Sequence, residues 1–182
     1  MNINDLLFDK NNKDAISEFA KNFGVDDSQA KDAISSLAKS LSLGLGQNTQ
    51  DIKGLDSLME ALKKGNHTRY LDEPSILTKK ETTADGNDIL GHIFGNKDVS
   101  RHVAKKASKE TGIGSSLLKK MLPVVAAMVM ASLGKKMLGG SKLSAPSRQA
   151  DTGFLTKILD ADKDGSMVDD VLGMAFKAFM AR

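Results

Sequence analysis

The residues with the most chemical content form one short run, DADKDGSMVDD, residues 160–170. Calcium is a hard cation that takes six to eight oxygen ligands. A helix–loop–helix calcium loop supplies them from positions 1, 3, 5, 7, 9 and 12, with glycine at 6 for the sharp turn. Asp160, Asp162 and Asp164 fall on positions 1, 3 and 5, Gly165 on 6, and Ser166 on 7, where a backbone carbonyl is needed. Two residues depart from the pattern. Position 12 is Val171, which has no carboxylate, and position 8 is Met167. Asp169 or Asp170 would have to close a shortened loop, with water completing the shell. A dissociation constant nearer ~10⁻⁴ M than ~10⁻⁷ M is the expectation, with calcium in a structural role. The same letters also read as a helix start. Ser166 and Asp169 form an S-x-x-D capping box, and Asp169 and Asp170 complement a helix dipole in its first turn. The spacing leaves both readings open, and a cap and a cation can share one turn.

Other reactive groups are sparse. There is no cysteine, so thiolate metal sites and disulfides are excluded. The histidines, His67, His92 and His102, lack the spacing of a zinc motif. No G-x-S-x-G marks a hydrolase elbow, and the glycines of GLGQN (44–48) lack the lysine of a phosphate loop. GIGSS (112–116) opens a helix and could hold an anion, but its simpler role is a turn. An enzyme is not expected.

The elements around these residues read as helices. The chain has 182 residues, 40% of them hydrophobic but only 4% aromatic. A core of Leu, Ile, Val, Ala and Met follows. Ile16, Phe19, Ala20 and Phe23 mark one helical face, with Gly24 placed to end it. Asp26 or Asp27 is placed to cap a second helix, whose face is Ala30, Ala33, Ile34, Leu37, Ala38 and Leu41. GLGQN is expected to break that helix. Leu55, Leu58, Met59 and Leu62 mark a third, stopped by Gly65. Residues 66–86 are polar and without period, which predicts a long surface loop before a short helix over 87–95.

Residues 103–129 then echo residues 15–41 at a constant offset of 88. Gly24 falls on Gly112, Val25 on Ile113, Ile34 on Leu122, Leu37 on Val125, Ala38 on Ala126 and Leu41 on Val129. These are the positions a duplicated helical hairpin most needs. From Leu122 to Leu133 the second copy is apolar nearly all round, which predicts a central, buried helix. Pro123 is tolerable near its start and would bend it if deeper. The unbroken apolar stretch, 122–134, is shorter than the ~20 residues of a membrane span. Residues 139–151 read as a Gly/Ser/Pro linker, and 152–182 as a helix–loop–helix around the acidic run. Its last helix carries Val168, Val171, Leu172, Ala175 and Phe179 on one face. The expected architecture is all-α, with about seven to nine helices: a core over 1–138 with related hairpins near 13–43 and 98–138, then the linker and the C-terminal unit.

The runs GLDSLMEALKKGNH (54–67), DILGHIFGN (88–96), LLKKMLPVVAAMVMASLGKKM (117–137) and LDADKDGSMVDDVLGMAFKAF (159–179) carry a resemblance. The chain resembles the bacterial YidB-like proteins, also called domain of unknown function 937. The resemblance implies a compact all-α fold and no established activity.

The charge is uneven. Residues 98–150 hold ten Lys/Arg against two acids, net +8, while 151–182 are net −2 and the first 97 are net −3. The basic middle could meet nucleic acid or anionic lipid, or the acidic parts of the same molecule. The expectation is a non-enzymatic structural or interaction protein with a weak calcium loop, a protein partner and homo-oligomers plausible. Nucleic-acid binding through 98–120 is the alternative, and membrane association is third. The absence of cysteine and of a secretory signal suits the cytoplasm.

Overall fold

Residues 20–29 set the first hairpin. Helix α2 (Lys13–Phe23) ends where Gly24 takes a left-handed conformation, φ +65°. The Gly24 amide then donates to the Lys21 carbonyl at 3.3 Å and the Val25 amide to the Ala20 carbonyl at 3.1 Å. This closes two carbonyls that the helix end would leave open. Asp26 caps α3 (Asp27–Asn48) through the Gln29 amide at 2.8 Å, and the Gln29 side chain returns to the Asp26 amide. The capping box fixes Asp26, of the two candidate aspartates, as the cap.

The second hairpin repeats the left-handed glycine but not its hydrogen bonds: the Gly112 amide donates to the Ser108 carbonyl at 2.9 Å and the Ile113 amide to Thr111 Oγ1 at 3.3 Å. Helix α7 (Lys97–Thr111) ends at Gly112, φ +73°, and α8 (Ser115–Leu138) follows. The boundaries 23 and 27 become 111 and 115, the same offset that the letters show. Ile34, Leu37, Ala38 and Leu41 are buried, and so are Leu122, Val125, Ala126 and Val129.

The computed structural model describes residues 2–50, 52–138 and Ile158. Among them are eight α-helices, two short 3-10 turns and no strand, so the fold is all-α. Besides α2, α3, α7 and α8 these are α1 (Ile3–Leu7), α4 (Ile52–Lys64), α5 (Arg69–Asp72) and α6 (Lys80–Phe94). Helix α8 lies at the centre and touches α1, α3, α4, α5, α6 and α7. Every residue from Met121 to Leu133 is buried. Among the described residues, α8 is the one helix long and apolar enough to cross a membrane, and here it is enclosed by its own chain.

Two expectations are corrected. GLGQN does not break α3, which runs through both glycines to Asn48. Glycine costs a helix interior about 1 kcal/mol, and packing overrides that here. A Cβ on Gly44 would stand 2.7 Å from Ile93 Cγ2 and 2.7 Å from Phe94 Cε1, so the bare backbone admits the end of α6. Residues 66–86 are not a long loop either. They hold α5, a 3-10 turn over Pro74–Thr78 and the first turns of α6, which begins at Lys80 rather than near 87. Tyr70, Leu71 and Leu77 are buried, each pair or single inserted from a turn too short to show a helical period. The 3-10 turn packs on α2. Gly86 allows α6 to cross closely over α8. A Cβ there would fall 2.0 Å from the Pro123 carbonyl oxygen of α8.

Helix α1 was not anticipated. Asn2 and Asp5 form its capping box, and Ile3 and Leu7 are wholly buried.

Candidate functional site

The end of α3 is fastened to the end of α6. Asn48 Nδ2 donates to the carbonyls of His92 at 2.9 Å and Ile93 at 2.7 Å, closing two acceptors at the C-terminus of α6. Gly44, one turn earlier, lets the helices meet there. Helix α4 lies alongside. Between the three opens a cleft of about 520 Å³. Its floor is Leu45 from α3, Leu58 from α4, Ile89 and Ile93 from α6 and Met130 from α8, all buried. Its rim is Ser57, Glu60, Ala61, Lys64 and His92, all exposed.

The cleft thus has an apolar floor inside a polar rim. The rim carries little net field. Lys64 donates to Glu60 one turn away, which holds the Glu60 carboxyl below its usual range and the Lys64 ammonium above its own. Both side chains are exposed, so the pair is screened by water.

A second group of polar side chains gathers after α4. Tyr70 is 1% exposed, and its hydroxyl donates to the Asp85 carboxylate. Arg69 Nη2 donates to the same carboxylate at 2.9 Å and to the Tyr70 oxygen at 3.0 Å, with its guanidinium 5.0 Å over the ring. Burial, then the Asp85 bond, pushes the Tyr70 hydroxyl above its usual value. Lys135 of α8 pairs with Asp72 at 2.7 Å. His67 stacks on Tyr70, centroids 6.3 Å apart. Burial pushes its imidazole below the usual value, against the opposing pull of Asp85. Arg69 and Tyr70 of α5 both donate to Asp85 of α6, so this cluster ties α5 to α6.

The other sequence candidates fall as follows. Asp160, Asp162, Asp164, Ser166, Asp169 and Asp170 lie outside the described residues, as do the linker 139–151 and, apart from Ile158, the C-terminal unit. His67, His92 and His102 sit on the α4–α5 link, on α6 and on α7. His102 Nδ1 lies 2.8 Å from the Asp98 carbonyl. Among the described residues no three His, Asp or Glu side chains converge on a metal-sized site. In the basic 98–120 region, Arg101 pairs with Asp98 at 2.5 Å and Lys106 with Glu110 at 3.5 Å. Lys105, Lys109, Lys119 and Lys120 are exposed.

The cleft was missed in the sequence because its floor comes from four helices. One trace of it was present. Leu45 follows the α3 face beyond Leu41 by one turn, in a segment read as a break.

No curated protein and no solved structure matches this chain. The family described as bacterial protein of unknown function, DUF937, matches residues 5–136. That span holds both hairpins and every helix that lines the cleft, and it stops short of the acidic run. The chain belongs to the DUF937 family.

Proposed function

We propose that this protein is a non-enzymatic interaction protein that docks the apolar face of an amphipathic helix in the cleft between α3, α4 and α6. The observation that carries the reading is the floor of Leu45, Leu58, Ile89, Ile93 and Met130 inside an exposed polar rim. A helix laid in a groove buries side chains at i, i+3, i+4 and i+7. The test uses methyl-labelled protein titrated with amphipathic helical peptides. The Ile89 and Ile93 methyl signals move, and Ala61→Arg, an exposed rim change, abolishes the movement while leaving the unfolding midpoint in place. Static floor methyls at millimolar peptide would reject the reading.

The exposed Lys105, Lys109, Lys119 and Lys120 favour a second reading, in which α7 and the first turns of α8 meet a polyanion such as nucleic acid. Groove insertion of α8 is not part of it, because α8 is enclosed from Met121 onward. This reading requires binding that falls steeply with salt. No gel shift at low salt would remove it. Liposome flotation tests the membrane reading in the same way.

Calcium at Asp160, Asp162, Asp164, Ser166, Asp169 and Asp170 is a separate proposal that rests on spacing alone. Calcium, but not magnesium, then moves the Gly165 amide in metal-stripped protein, and Asp160→Ala removes the effect. No shift at millimolar calcium leaves a capped acidic turn.

A further inference from the structure

We propose that the occupant of the cleft in the free protein is the chain's own C-terminal helix face, Val168, Val171, Leu172, Ala175 and Phe179. This rests on the reading of the cleft as a helix-docking groove and names what fills it before a partner does.

Three observations converge. First, the chain returns to the core after α8. Ile158 lies twenty residues beyond Leu138, yet it is 1% exposed and belongs to the central apolar cluster. Second, the residues that follow have the right pattern and reach. Val168, Val171, Leu172, Ala175 and Phe179 are spaced as one helical face. Ten residues separate Ile158 from Val168 and span up to about 33 Å when extended. A domain of this size has a radius of gyration of about 14 Å, so about 33 Å is close to its full width and brings most of its surface within reach of a residue seated in the core. Third, the cleft is open and its floor apolar, while the rim pair Glu60–Lys64 cancels its own charge. An acidic segment, net −2 over 151–182, meets no like-charged field there.

The consequence is a competition. A partner helix must displace residues 168–179. A tail docked nine-tenths of the time weakens partner binding about tenfold, and loosening the tail restores it.

The chain has no cysteine, so a single Ser57→Cys on the exposed rim takes one spin label in the full-length protein. The labelled protein is expected to broaden its own 168–179 amides at every dilution. A mixture of labelled and separately isotope-enriched copies shows no such broadening. Val171→Asp with Leu172→Asp then removes the broadening, exposes the floor to the dye 1-anilinonaphthalene-8-sulfonate and raises its fluorescence severalfold. Broadening that appears only between copies overturns the in-chain assignment and makes a second copy the occupant. No broadening, with equal and strong dye binding in both proteins, leaves the groove reading intact and overturns the tail. No broadening, with no dye or peptide binding in either, overturns both.

Discussion

The hairpins α2–α3 and α7–α8 share a left-handed turn glycine and differ in what lies behind it. Each first helix ends on a left-handed glycine, and each second helix buries the same four core positions. On the other face they part. Ser36, Lys39, Ser40 and Ser42 of α3 correspond, at the constant offset, to Val124, Ala127, Met128 and Met130 of α8. Ser36, Ser40 and Ser42 are buried and Lys39 is half-buried, and α3 finds hydrogen-bond partners for the first two, Ser40 donating to the Ser36 carbonyl at 3.5 Å. Ser36 donates to Glu110 of α7, and Ser35 accepts from Asn4 at 3.1 Å. From Met121 to Leu133, helix α8 has neighbours on all sides and no wet face to supply. The turn, then, is a local device that tolerates either fate of the helix it starts. The second face records where that helix lies in the whole.

The largest test of this difference moves one side chain between the copies. Ala127→Lys places the Lys39 residue type at its α8 equivalent, where an unpaired ammonium would be buried. A loss of more than about 3 kcal/mol in denaturant unfolding is expected. Lys39→Ala, on the half-exposed α3 position, should cost about 1 kcal/mol or less. Similar costs for the two would break the comparison.

Next in size is the close crossing on α8. Gly86→Ala sets a Cβ 2.0 Å from the Pro123 carbonyl oxygen, and backbone cannot swing aside as a side chain can. Overpacking of this kind costs about 1–3 kcal/mol. Gly91→Ala in the same helix meets nothing within 4 Å and should stabilise by about 0.5–1 kcal/mol through helix propensity. Opposite shifts of the urea midpoint are the expected outcome.

The turns themselves should respond alike. Gly24→Ala and Gly112→Ala face open space, so only the left-handed backbone is penalised, by about 1 kcal/mol each. A difference between them larger than about 0.5 kcal/mol would mean that the turns are not equivalent.

The smallest effect lies outside both hairpins. His67 has its pKa lowered in the folded state, chiefly by burial, so the unfolded chain binds its proton more readily. Stability from this group is fully present above the unfolded value, near 6.5, and is lost as pH falls through the folded value. The urea midpoint should therefore decline below about pH 6.5, before carboxylates titrate. His67→Gln should flatten that decline, and an unchanged slope would assign it elsewhere.

Much of the fold was legible because its signals are local. A glycine that must take positive φ, an aspartate that caps, and four apolar residues on one face act within a few turns of chain. Gly24, Asp26 and the Ile34–Leu41 face are of this kind, and their repetition at 112–129 made the second hairpin visible. What escaped depends on distant neighbours. Gly44 looks like a stop until Ile93 and Phe94 are seen against it. Tyr70, Leu71 and Leu77 look like loop residues until α2, α6 and α8 are placed around them. The cleft shows the same limit, since no stretch of sequence holds more than two of its floor residues.

By itself, then, the sequence determined the helices of the two hairpins as far as Leu41 and Leu133, helix α4, the two turn glycines and the apolar identity of α8. Periodicity, capping and left-handed glycine are properties of adjacent residues. Only the tertiary structure decided which glycines are contacts rather than breaks, that 66–86 is packed rather than free, and that helices α3, α4 and α6 leave a cleft. Those outcomes depend on steric fit between surfaces far apart in the chain, which no local pattern encodes.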